Sequence, residues 1–160
     1  MRNTLRPLVA EFIGVFFLTF AGAGAIVANT YREGSVGLLG IAAAHGLALA
    51  IAISATMHIS GGHINPAVTL GLWSVGRIDA KKAGRYVLFQ LLGAVAAAYA
   101  VKGLYPEMAG RVAALGTPQL ASDVSLVQGI VIEAILTFFV AFAVMGTAVA
   151  ASERASPKII

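Results

Sequence analysis

The chain has 160 residues, a formal net charge of +4, 11% charged residues and no cysteine, with a mean hydropathy of +0.88. A soluble domain carries about 25% charged residues, so this composition excludes an ordinary water-solvated fold and points to a bilayer as the solvent. Disulfides and thiolate metal sites are excluded with the cysteines, and the positive charge is informative by its position along the chain rather than as a signal for nucleic acid.

The first apolar run covers residues 8–28 and is broken only by Glu11. A helix crossing the hydrocarbon core needs about 20 residues, so this run reads as a span. It continues to full length without a small-residue cleavage pattern, which distinguishes it from a cleavable leader. Asn29, Thr30, Arg32, Glu33 and Gly34 then make a short polar turn. No Asp, Glu, Lys or Arg occurs between Gly34 and Gly76, which is too long for one crossing. Ser60, Gly61 and Gly62 interrupt this stretch and Asn65-Pro66 restart it. Residues 36–59 suffice for one full span. Residues 66–75 make only half of one, since ten residues of helix rise about 15 Å against a core of about 30 Å.

Arg77, Asp79, Lys81, Lys82 and Arg85 mark an aqueous surface. A third span is expected over residues 82–103, with Lys102 able to snorkel. Residues 104–123 read as a connecting loop, and a loop of that length usually joins larger units or carries function. The fourth span is expected over residues 124–151, with Glu133 as its one ionisable residue. With the N terminus inside, the inner segments hold Arg2, Arg6, Arg77, Lys81, Lys82, Arg85, Arg154 and Lys158, and the outer ones Arg32, Lys102 and Arg111. That asymmetry favours a cytoplasmic N terminus.

The first and fourth spans echo each other. Glu11 and the pair Phe16-Phe17 recur in register as Glu133 and Phe138-Phe139, 122 residues later. The fourth span lies three crossings on from the first, so the two copies run in opposite directions, as in an inverted repeat. A carboxylate near the centre of a span costs roughly 2.5 kcal/mol or more. Glu11 and Glu133 are therefore expected to face protein or water. One reading makes each an acceptor for backbone N–H groups of a nearby re-entrant loop; the other lets each reach the headgroups from near a helix end.

The richest stretch is Ser60-Gly61-Gly62-His63-Ile64-Asn65-Pro66-Ala67-Val68-Thr69. Asn at the N-cap and Pro at the first helical position make a strong helix start. The glycines permit a tightly turned lead-in. Non-helical backbone at membrane depth is tolerated only where protein covers it or water reaches it, so its carbonyls can serve a file of polar solutes. The half-helix also points its positive dipole end into the membrane, where it opposes cations. His45 heads a mostly apolar face with Leu49 and Ile53 below it, which suits either a pore-facing group or a histidine bonded to a neighbouring helix. His58 reads as a buried structural hydrogen-bonder. Three histidines without acidic partners at ligand spacing do not suggest a metal site. Gln90, Gly93, Ala94, Ala97 and Ala98 read as helix packing.

Ala10-Glu11-Phe12-Ile13-Gly14, Ala44-His45-Gly46 and the stretch Ser60 to Thr69 together resemble the first half of the aquaporin, or major intrinsic protein, family, with the likeness running over residues 10–151. The resemblance implies an all-α integral membrane fold, an aquaporin-like right-handed helix bundle with re-entrant half-helices meeting at the midplane. Four transmembrane helices and one half-helix fall in this chain. It implies a pore in each protomer, usually a homotetramer in the lipid bilayer, and no cofactor. Residue by residue, Asn65 would be the first pore asparagine. Pro66 and Ala67 would hold its half-helix against a second one. Gly61, Gly62, His63 and Ile64 would line the pore with backbone carbonyls. Leu49 and Val68 would be further pore-lining residues, and Glu11 and Glu133 the loop-bracing carboxylates. His45 falls at a position of the selectivity constriction, where a histidine resembles the plant tonoplast-type channels. Water would be the permeant, with small neutral solutes such as glycerol, ammonia or urea.

The family's second Asn-Pro-Ala motif does not occur in the chain. Asn65 lies 54 residues after Glu11, and the same offset from Glu133 points to position 187, beyond Ile160. The expected organisation is thus a single membrane domain over residues 1–160, incomplete at its C-terminal end. Residues 1–103 form a first repeat, 104–123 a connecting loop and 124–151 the first helix of a second repeat. Besides a passive channel, two readings stay open: a non-conducting fragment or assembly subunit, and a secondary transporter, which also uses inverted repeats and broken helices. No nucleophile, base and orienting partner assemble for enzymatic catalysis. A bacterial inner membrane is the expected location.

Overall fold

The computed structural model describes residues 4–149, all helix, turn and loop. They form two units, residues 4–117 and 118–149. The first unit holds α1 (Leu5–Tyr31), α2 (Gly37–Ser60), the short α3 (Pro66–Ser74), α4 (Ala80–Leu104), α5 (Glu107–Val112) and a 3₁₀ turn at Ala114–Gly116. The second holds α6 (Leu126–Val144), which widens into a π turn at Met145–Val149. Four helices are long and apolar enough to cross a membrane: Leu5–Tyr31, Gly37–Ser60, Ala80–Leu104 and Leu126–Thr147. With a half-length helix between the second and third, the pattern is that of a membrane helix bundle.

The helix ends follow local chemistry. Asn29 Oδ1 accepts the N–H of Gly37 at 2.9 Å and pins the turn between α1 and α2. Gly61, at φ 97°, ends α2 with its N–H on the Met57 carbonyl at 3.0 Å, the left-handed C-terminal cap that glycine adopts without strain. Asp79 Oδ1 caps α4 by accepting the N–H of Lys82 at 2.9 Å. Ser125 and Gln128 form a reciprocal capping box at the start of α6.

Within the first unit α1 is the central helix and packs against both α2 and α4. Gly93 on α4 lies so close to α1 that a Cβ there would meet the Phe12 carbonyl oxygen, the backbone-to-backbone approach that small residues permit between membrane helices. Its buried interior is not purely apolar. Ile64, Val27 and Val101 share full burial with Glu11, Thr69, Gln90 and Tyr86. Conversely, large apolar side chains such as Leu38, Leu39, Leu91, Val95 and Tyr99 are exposed. A polar centre with an apolar exterior suits a lipid solvent, where the cost of a buried polar group rather than the gain from apolar contact directs packing.

Two features differ from the sequence expectation. The segment 104–123 contains α5 and a 3₁₀ turn, because Pro106 opens a helical turn and Glu107 and Arg111 pair across i,i+4. The fourth helix starts at Leu126 because Ser125 is its N-cap; the last two residues expected in that span, 150 and 151, lie outside the described residues.

Candidate functional site

Between α2 and α3 the chain leaves helical conformation for residues 61–65 and re-enters it at Pro66. Gly61 (φ 97°) and Gly62 (φ 63°) are both left-handed, and so is Ile64 (φ 51°), which pays a penalty that glycine does not. Gly62 is required twice over: a Cβ there would also sit 3.2 Å from the Ile53 carbonyl and 3.3 Å from Met57 Cα.

What holds this backbone is Glu11, fully buried on α1. Its Oε1 accepts the His63 N–H at 3.0 Å and the Ser60 hydroxyl at 2.5 Å. Its Oε2 accepts the Ile64 N–H at 2.7 Å and the Gln90 amide at 2.8 Å. Charge-assisted hydrogen bonds of this kind are about twice as strong as neutral ones, and four of them offset the desolvation of a carboxylate inside a span. The Gly62 N–H is taken by the Ser60 hydroxyl at 3.1 Å. The segment's N–H donors, from Gly61 to Ile64, are thus turned toward protein. Its acceptors are not: among the described residues no N–H or O–H donates to the carbonyls of Gly61, Gly62, His63 or Ile64.

A second layer fixes the start of α3. Thr69 Oγ1 donates to the Asn65 carbonyl at 3.0 Å and accepts from Gln90 Nε2 at 2.9 Å. It also meets His63 Nδ1 at 3.1 Å. A hydroxyl has one proton, and the Asn65 carbonyl takes it, so the His63 contact assigns the proton to Nδ1. The His63 ring stands edge-on to Tyr86, centroids 5.0 Å apart, and Tyr86 donates its hydroxyl to the Ser60 carbonyl at 2.8 Å. Gln90, read from sequence as helix packing, instead bridges Glu11 and Thr69 while its Oε1 is buried without a donor among the described residues. Tyr86 and Gln90 are the residues that sequence reasoning missed. The available signal was a glutamine inside an apolar span, which is costly there unless bonded.

Asn65 is the N-cap of α3: its Oδ1 accepts the Ala67 N–H at 2.7 Å. Because the oxygen is engaged, the orientation of the amide is fixed and its Nδ2 donors have no protein acceptor among the described residues. Pro66 occupies the first helical position, where its missing N–H is no loss. Ala67 is exposed and Val68 buried. Leu49 on α2 packs against the cluster of Val15, Ala52 and Ile64.

His45 is exposed on α2. Its Nδ1 bonds the Ile41 carbonyl at 2.8 Å, so Nδ1 carries the proton and Nε2 is left as an acceptor in the neutral ring. The ring lies over Gly22 of α1, whose lack of a side chain makes room for it. His58 is exposed, a correction to its reading as a buried hydrogen-bonder. Glu133, described within its own unit, is exposed on α6 and accepts no hydrogen bond among the described residues.

The family model described as "Major intrinsic protein" matches residues 1–159. The chain is 41% identical to Aquaporin TIP4-4 of Zea mays over 152 residues, 91% of this chain and 58% of that protein. It is 42% identical to Aquaporin Z of Brucella melitensis over 149 residues, 89% of this chain and 65% of that protein. It is 38% identical to Aquaporin NIP1-1 of Zea mays over 145 residues, 90% of this chain and 49% of that protein. The chain therefore spans about half to two thirds of the length of these relatives.

Proposed function

The chain belongs to the major intrinsic protein family, and from that premise we propose that it supplies the first re-entrant half of a passive transmembrane channel for water, with glycerol, ammonia or urea as further small neutral permeants. It is an integral membrane protein of the channel class of its aquaporin relatives. The observation that carries the reading is the asymmetry of the re-entrant segment. Glu11 and Ser60 consume the N–H groups of Gly62, His63 and Ile64, and the four carbonyls from Gly61 to Ile64 accept no hydrogen bond among the described residues. A row of carbonyls accepts hydrogen bonds from a file of water and replaces part of its hydration. At the end of that row the Asn65 amide donates to a water oxygen, and the N terminus of α3 disfavours cations. Such a path offers polar contacts to neutral solutes.

His45, whose Nε2 has no partner among the described residues, is suited to accept a hydrogen bond from a permeant at a constriction, and Leu49 supplies apolar wall; Val68, read from the sequence as pore-lining, is instead buried within the first unit. Pro66 and Ala67 meet a second half-helix, and Glu133 braces the loop that leads into it. The N terminus faces the cytoplasm of a bacterial inner membrane, following the lysine and arginine asymmetry, and the whole protein assembles as a homotetramer.

The test is osmotic flux through liposomes containing the whole protein that carries this chain, with and without sodium and proton gradients. Shrinkage faster than protein-free liposomes and indifferent to either gradient supports a passive channel. Flux that requires an ion gradient points to a coupled transporter, and no excess flux to an assembly role.

A further inference from the structure

A cavity of about 260 Å³ lies where the first turns of α1 and α4 approach, away from the re-entrant segment's carbonyls. Its apolar wall is Pro7, Leu8 and the Tyr86 ring; Thr4 and the basic residues Lys81, Lys82 and Arg85 line its polar side. None of the three cations makes an ion pair with a carboxylate among the described residues. The one acidic side chain in the wall, Asp79, is engaged as the cap of α4 through the Lys82 N–H. That cap takes up the Lys82 N–H, and the charged groups on offer in the wall are the three basic side chains. Lys82 is held over the Tyr86 ring, its Nζ 5.1 Å from the centroid, which keeps one ammonium at the mouth of the cavity at little further entropic cost.

We propose that this cavity binds the phosphodiester headgroup of an anionic phospholipid in the leaflet at the N-terminal side of the bundle. Three cations that make no ion pair among the described residues, facing a single committed carboxylate, select a multiply hydrogen-bonded anion. The position selects a lipid over a soluble anion. The cavity opens where the apolar stretches of α1 and α4 begin, at Leu8 and beyond Arg85, so a bound headgroup leaves its acyl chains along the exposed apolar face of α4, at Leu88, Leu91 and Val95. The volume agrees: it is several times the ~30 Å³ share of a water and below the roughly 300–1,000 Å³ of a site that encloses a whole small molecule. A basic pocket between membrane helices on the leaflet that carries anionic lipid is a known physical basis of headgroup recognition.

The site is one side chain away from the re-entrant segment. Tyr86 forms its inner wall, donates to the Ser60 carbonyl and stacks edge-on to His63. A headgroup that orders Lys82 and the first turn of α4 therefore stabilises the layer that holds Ser60 and His63 in place.

The test is lipid titration of the purified chain by native mass spectrometry, with phosphatidylglycerol, phosphatidylcholine and inorganic phosphate as probes. The variants are K81Q/K82Q/R85Q and, as a control on basic residues elsewhere, K102Q/R111Q. All five substituted side chains are exposed, and helicity by circular dichroism checks folding. The proposal expects tighter binding of phosphatidylglycerol than phosphatidylcholine and at least a tenfold loss of that preference in the triple variant only, since each basic residue near an anionic surface contributes about a fivefold effect. Equal affinity for both lipids, an unchanged preference in the triple variant, or the same loss in the control overturns it. Displacement of the lipid by millimolar inorganic phosphate also overturns it, in favour of a soluble anion. The readout needs no conduction, so failure here leaves the channel reading untouched.

Discussion

Glu11 Oε2 accepts the Ile64 N–H at 2.7 Å across 53 residues of sequence, and this bond ties a strained, non-helical backbone to the central helix. Glu11→Gln turns one of two acceptor oxygens into a donor facing donors, and removes the charge from all four bonds. With hydrogen bonds to charged groups worth about 1.5–3 kcal/mol each and an unsatisfied buried partner costing a similar amount, the expected loss of stability is about 3 kcal/mol, read from reversible unfolding in mixed micelles. A loss under about 0.5 kcal/mol would show that Glu11 does not hold the loop.

Gly62→Ala places a Cβ at φ 63° and against the Ile53 carbonyl. A non-glycine residue held in a sparsely populated region costs of order 1–3 kcal/mol, so this variant should unfold at a clearly lower temperature. Gly46→Ala is the matched control. It lies inside α2 with nothing within 4 Å of the new Cβ, and replacing a helical glycine with alanine should be neutral or stabilise by up to about 1 kcal/mol. Equal effects from both would refute the local account.

Gln90→Leu removes the bridge between Glu11 and Thr69 and leaves both without that donor. A loss of about 2 kcal/mol is expected, together with faster amide exchange at Ile64 and His63. Unchanged exchange there would assign Gln90 to packing alone.

Asp79 lies outside the spans, and its carboxyl is held below the usual carboxylate range first by the Lys82 backbone N–H. Its folded value is depressed, so its contribution is present above the unfolded carboxylate value and is lost as pH falls through the folded one. The first turn of α4 should therefore fray only below about pH 4, seen as rising exchange of the Lys82 amide. Asp79→Asn, which keeps a capping oxygen, should abolish that pH dependence. Fraying that sets in near neutral pH would contradict the assignment.

Much of the architecture was legible because it is written in local patterns. The charge-free run from Gly34 to Gly76 is too long for one crossing, Ser60-Gly61-Gly62 breaks it, and Asn65-Pro66 opens a helix only half the length of a span. The tertiary partners were less legible. Nothing near Gln90 or Tyr86 in sequence says that one reaches Glu11, 79 residues away, or that the other reaches the Ser60 carbonyl at the end of α2; the first bond is made possible by the close approach of α1 and α4 at Gly93 and Phe12. Ser60 read as an interruption, yet its hydroxyl serves both Glu11 and the Gly62 N–H. The short helix α5 was hidden because Pro106, Gly110, Gly116 and Pro118 suggest loop, whereas the Glu107–Arg111 pair was the countervailing signal.

The central claim is that the Asn65 amide donates to the permeant, and water permeability of Asn65→Asp in liposomes containing the whole protein tests it most directly. Aspartate caps a helix as well as asparagine does, so the Ala67 bond and the fold should survive while the amide donor is lost and a charge appears in its place. The account predicts wild-type thermal stability with an osmotic shrinkage rate reduced at least several-fold. Unchanged permeability in a properly folded Asn65→Asp protein would contradict it.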